Sequence, residues 1–126
     1  MKKLFVLAGL LVLFGCGSKK IDTTQIVKGT DMIAAGKFEE GTAMLDELAK
    51  QNSDDPALKQ ARIAGHMKFA DFYMTNETLS PKVKYPSALK QYRAVLALDA
   101  SNEEAKKGAD LIISIYNQMG RPIPAQ

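Results

Sequence analysis

The stretch "ALKQYRAVLALDASNEEA", Ala88–Ala105, decides the fold class. Ala88, Leu89, Tyr92, Val95 and Leu96 recur at steps of three and four, which is one apolar stripe of an α-helix. Lys90 and Arg93 fall between them, as expected for a helix with a wet side. Asp99 ends the run, and Ser101 with Glu104 predicts a capping box that opens a second helix. Two helices joined this closely must run as antiparallel neighbours.

The same periodicity extends outward in both directions. "TTQIVKGTDMIAAGK", Thr23–Lys37, sets Ile26, Gly29, Met32 and Ile33 at helical spacing and stops at Gly36. "FEEGTAMLDELAKQN", Phe38–Asn52, repeats the pattern with Gly41, Met44, Leu45 and Leu48. Asp55 followed by Pro56 predicts a capped start for a third helix, reaching about Met74. "TNETLSPKVKYPS", Thr75–Ser87, carries two prolines and predicts a break. The last helix should end near Met119, with 120–126 as a glycine- and proline-bearing tail. No segment alternates with period two for long, so the fold class is all-α, with about five helices.

Phe38–Ala61 and Tyr85–Ala109 share a spaced pattern. Phe38 pairs with Tyr85, Gly41 with Ala88, Leu45 with Tyr92, Leu48 with Val95 and Ala49 with Leu96. This pattern resembles the second helix of a tetratricopeptide repeat, and Ala88–Ala105 is the better copy. Gly29 and Met32 resemble the family's small and aromatic first-helix positions, with Ala64 and Met67 as counterparts 35 residues on. The second helices are 47 residues apart (Gly41 to Ala88), so the resemblance implies an insertion of 12 residues, placed at about 73–84. It implies antiparallel helix pairs stacked as a short solenoid over residues 22–119, closed by a C-terminal capping helix. In that family the first helices line a binding surface. Thr23, Ile26, Thr30, Ile33 and Ala34 would supply one half, and Leu58, Ala61, Gly65, Lys68 and Phe69 the other.

The N-terminus reads differently. Lys2 and Lys3 precede the uncharged run Leu4–Phe14, too short for a membrane span of about 20 residues but right for the centre of a secretory leader. Leu13-Phe14-Gly15-Cys16 resembles the lipobox of bacterial lipoproteins, with Phe14 bulkier than the usual residue there. The resemblance implies a leader over 1–15, acyl chains on Cys16 and a short tether over 16–21. Two acyl chains anchor stably, at about 0.8 kcal/mol per buried CH2. The implied place is the cell envelope. Gly17 after Cys16 points to the periplasmic face of the outer membrane, or to the outer face of the plasma membrane in a Gram-positive cell.

Without residues 1–15, 111 residues remain, with 15 basic against 14 acidic side chains. Such a balanced charge predicts no nucleic-acid partner. Cys16 is the single cysteine and His66 the single histidine, so no cofactor, no metal site and no Cys–His catalytic pair is expected. His66 is expected as a surface or hydrogen-bonded residue. Asp54-Asp55 and Glu39-Glu40 stand at helix starts, where they complement the helix dipole. The expected role is a non-enzymatic adaptor or assembly subunit, binding another envelope protein or peptide. The rival is a carrier of an apolar ligand or lipid, with a pocket near Phe69, Phe72 and Tyr85 in the neighbourhood of Tyr73, Lys82 and Lys84.

Overall fold

A computed structural model describes residues 20–126. Its helices are α1 (Thr23–Ala34), α2 (Phe38–Gln51), α3 (Pro56–Thr75), α4 (Pro81–Leu98) and α5 (Glu103–Gln118), and no strand occurs among the described residues. The fold is all-α. Cys16 and the leader lie outside the described residues.

Local chemistry sets the helix ends. The Asp22 carboxylate accepts from the Thr24 N–H at 3.0 Å, and that of Asp55 from the Leu58 N–H at 2.8 Å. Pro56 occupies the first turn of α3, where its missing N–H costs nothing. Gly36, at φ 83°, takes the left-handed turn that ends α1. The Lys37 N–H then reaches back to the Met32 carbonyl at 2.9 Å.

Two boundaries differ from the sequence expectation. The cap of α5 is Asn102, whose side chain accepts from the Ala105 N–H at 2.9 Å. Ser101 is committed elsewhere: its hydroxyl and N–H both donate to the Asp99 carboxylate. The stretch Thr75–Ser87 is also mostly helical, because α4 starts at Pro81 and carries Pro86 inside it. Pro81 sits in the first turn, where proline is welcome. Pro86 forfeits one backbone hydrogen bond, and the burial of Ala88 and Leu89 with the packing of Tyr85 compensates. Only Asn76–Ser80 lies outside the helices. The second pair is therefore longer mainly in its helices: α3 and α4 have 20 and 18 residues, against 12 and 14 for α1 and α2.

Each helix packs on the next, and α1 also touches α3. Ile33, Leu45, Ala49 and Leu58 form one apolar cluster, with Ile21 and Ile26 packed against it. Ile63, Ala70, Ala88, Leu89, Tyr92, Val95, Ala105, Ala109 and Ile112 form the other. Helix α3 serves both. Leu45 fits between two glycines: a Cβ on Gly29 would lie 2.8 Å from its Cδ2, and one on Gly65 3.7 Å from its Cδ1. Tyr92, its counterpart in the sequence pattern, presses its ring on Gly108 of α5. The buried glycine of α3 at this seam is Gly65, 36 residues beyond Gly29, where a Cβ would lie 2.7 Å from Ile33 Cδ1; Ala64 is exposed.

Candidate functional site

The residues expected to line a binding face separate by depth. Ile33, Leu58, Gly65 and Phe69 are buried, and Ile26 is half-buried against the first cluster. Thr30 and Lys68 are exposed, and the Thr30 hydroxyl donates to the Ile26 carbonyl at 2.9 Å. Periodicity places all seven near one seam, but helix packing takes the apolar ones inside. The open part of the α1–α3 seam is a depression of about 410 Å³ lined by Ala34, Lys68, Asp71, Phe72 and Thr75 among others.

Next to it stands an aromatic cluster from two helices. Phe69, Phe72 and Tyr73 follow helical spacing along α3, and Phe38 comes from the start of α2. Phe38 stacks on Phe69 and Phe72 with ring centroids 5.5 and 5.0 Å apart, and Phe69 on Tyr73 at 4.8 Å. Stacked pairs of this kind contribute about 0.5–1.5 kcal/mol beyond the area they bury. Phe72 stays 37% exposed and edges the depressions on both sides of Phe38. Tyr85 is not part of this cluster; it packs against the second apolar core. Spacing along α3 shows three of these rings in the sequence, but nothing local brings in Phe38, 31 residues before Phe69.

A polar cluster lies deeper, where α2, α3 and α4 meet. His66 is buried. Its Nδ1 is 2.7 Å from Gln91 Oε1, and its Nε2 is 3.2 Å from the Asp46 carboxylate. Arg62 Nε donates to the same carboxylate at 2.7 Å. Burial lowers the His66 pKa, but the hydrogen bonds to Asp46 and Gln91 more than offset it and hold the ring above its usual 6.5. Burial raises Asp46, and its bonds to His66 and Arg62 reverse that and hold it below 3.8. Both ring nitrogens of His66 are engaged, Nδ1 by Gln91 and Nε2 by Asp46. Among the described residues, no group of three or more His, Cys, Asp or Glu side chains could hold a metal ion.

The two ends of α2 have different neighbours. Ile21 and Asp22 enter beside Glu47, Leu48 and Gln51 at the end of α2. The aromatic cluster lies at the opposite end, near the start of α2 and the end of α3. The tail returns along the molecule, and Arg93 Nη1 donates to the Pro124 carbonyl at 2.8 Å. No described helix is long and apolar enough to cross a membrane. Comparison with protein-family models, with curated proteins and with solved structures finds no match to this chain.

Proposed function

We propose that the chain is an envelope lipoprotein, held by acyl chains on Cys16, whose short tetratricopeptide-like domain binds another protein as a non-enzymatic adaptor. The carrying observation is the position of Phe72: exposed, backed by three aromatic rings, and at the opposite end of α2 from Ile21. A chain anchored just before Ile21 would present this aromatic edge away from the bilayer. From Cys16 to Ile21 the backbone reaches less than about 20 Å. The close fit of Leu45 on Gly29, and of Tyr92 on Gly108, supports a repeated helix-pair design.

The same geometry supports an adaptor over a carrier. The depressions beside the rings are open clefts, whereas a carried apolar ligand needs a cavity that buries most of its surface. Mass spectrometry of the protein from its native membrane tests the anchor; an unmodified Cys16 rejects it. A photo-crosslinking amino acid at Phe72, compared with one at Lys106, tests the docking face. One protein should be recovered reproducibly from Phe72 and not from Lys106. Equal or absent yields reject the adaptor reading at this face.

A further inference from the structure

Among the described residues, the buried polar side chains are Thr42, His66 and Gln91. Thr42 is satisfied within α2, donating to the Phe38 carbonyl at 2.8 Å. His66 and Gln91 are not satisfied within their own helices; they bond to each other, and His66 continues to Asp46. The result is a polar bridge from α2 through α3 to α4.

The bridge runs where apolar packing is divided. The first cluster holds α1 and α2 to α3, and the second holds α4 and α5 to α3. Helices α2 and α4 do not pack extensively on each other. Between them lies a cleft of about 360 Å³, whose walls include Thr42 and Asp46 on α2 and Ser87, Lys90 and Gln91 on α4. His66 forms part of its floor.

Both ring nitrogens of His66 face oxygen atoms. Only an imidazolium has two N–H groups to donate to two acceptors; a neutral ring has one. We propose that His66 is a pH-operated clasp: protonated, it ties α2 to α4 across the cleft, and on losing its proton it lets the α1–α2 pair move against α4–α5. With the remaining proton on Nδ1 the bond to Asp46 is lost; with it on Nε2 the bond to Gln91 Oε1 is lost, and the bridge stays whole only if the Gln91 amide turns to donate to Nδ1. The charged and titratable groups facing this region are Glu39 and Asp46 on α2, Arg62 and Tyr73 on α3, and Lys90 on α4. Arg62 stays charged throughout and remains on Asp46. The carboxylate is therefore not stranded when His66 becomes neutral, and the clasp opens without unfolding the stack.

The direction of the switch follows from the raised pKa of His66. The clasp is closed below the ordinary histidine value of 6.5 and loosens as pH rises through the higher native value. Each unit between native and unfolded values is a tenfold change in the coupling, because one pKa unit is about 1.36 kcal/mol.

His66 is the only histidine, so its ring signals in a nuclear magnetic resonance titration of the full chain need no assignment by mutation. The expected result is a ring protonated on both nitrogens that titrates above 6.5. Amide exchange in α2, corrected for its intrinsic pH dependence, should then rise several-fold through the same pH range, while that of α5 stays level. A ring that titrates at or below 6.5, with the Gln91 amide donating to Nδ1, overturns the proposal. So does α2 exchange that ignores the titration. In Gln91→Glu a carboxylate replaces the amide, and the midpoint should move upward; an unmoved midpoint also counts against the clasp. The wild-type readouts stand whether or not this variant folds.

Discussion

The ring of Tyr92 rests on the backbone of Gly108, leaving no room for a side chain at that position. Gly108→Ala removes a helix-interior glycine, which alone would stabilise α5 by about 0.8–1 kcal/mol. It also forces the Tyr92 ring aside, and overpacking of this kind costs about 1–3 kcal/mol. The expected outcome is a net loss of stability in urea denaturation. Gly108→Ala combined with Tyr92→Leu should recover part of it, and a stabilised single variant would contradict the contact.

Leu45 and Phe72 separate the core from the exposed edge. Leu45 is fully buried, so Leu45→Ala should cost about 2–5 kcal/mol and lower the urea midpoint clearly. Phe72 is exposed at one side, and Phe72→Ala should cost less than Leu45→Ala. Phe72→Ala should nevertheless reduce partner recovery from crosslinked membranes, whereas a stability-matched core variant such as Ile63→Val should not.

The cap of α5 can be assigned by a pair of substitutions. Asn102→Ala should cost about 1 kcal/mol, within the range of about 0.5–2 kcal/mol for N-caps. Ser101→Ala removes only a bond to Asp99 at an exposed turn and should cost less. The reverse order in thermal denaturation would restore the Ser101–Glu104 capping box.

Asp46 and His66 give stability opposite pH limbs. The Asp46 contribution is present above the usual carboxylate value of 3.8 and is lost as pH falls through its lower native value. The His66 contribution is full below 6.5 and is lost as pH rises through its raised native value. Stability from this pair should therefore peak between the two regions. In Asp46→Asn the acid limb contributed by residue 46 should vanish and the alkaline limb should shrink, as read by urea midpoints across pH.

Much of this architecture is legible along the chain, because its signals are local. Asp55-Pro56 and Gly36 announce a helix start and a helix stop through backbone chemistry that needs no distant partner. The prolines of Thr75–Ser87 mislead for the same reason. Local rules see the lost hydrogen bond at Pro86 but not the burial of Ala88, Leu89 and Tyr92 that holds the helix together. The polar cluster is opaque to pattern reading. Asp46 and Gln91 lie 20 and 25 residues from His66, and only the helix stacking brings them to its two nitrogens. Phe38 joins the α3 rings by the same route.

The added helix length of the second pair has a mechanical consequence. A loop between α3 and α4 would absorb a push by bending; two packed helices transmit it. The turn at Asn76–Ser80 is the tip of a rod that continues as α3, whose 20 residues span about 30 Å. Leu58 near the far end of that rod sits in one apolar cluster and Ala70 in the other. A force on the tip therefore has leverage on both halves of the molecule at once, with α3 as their common axle.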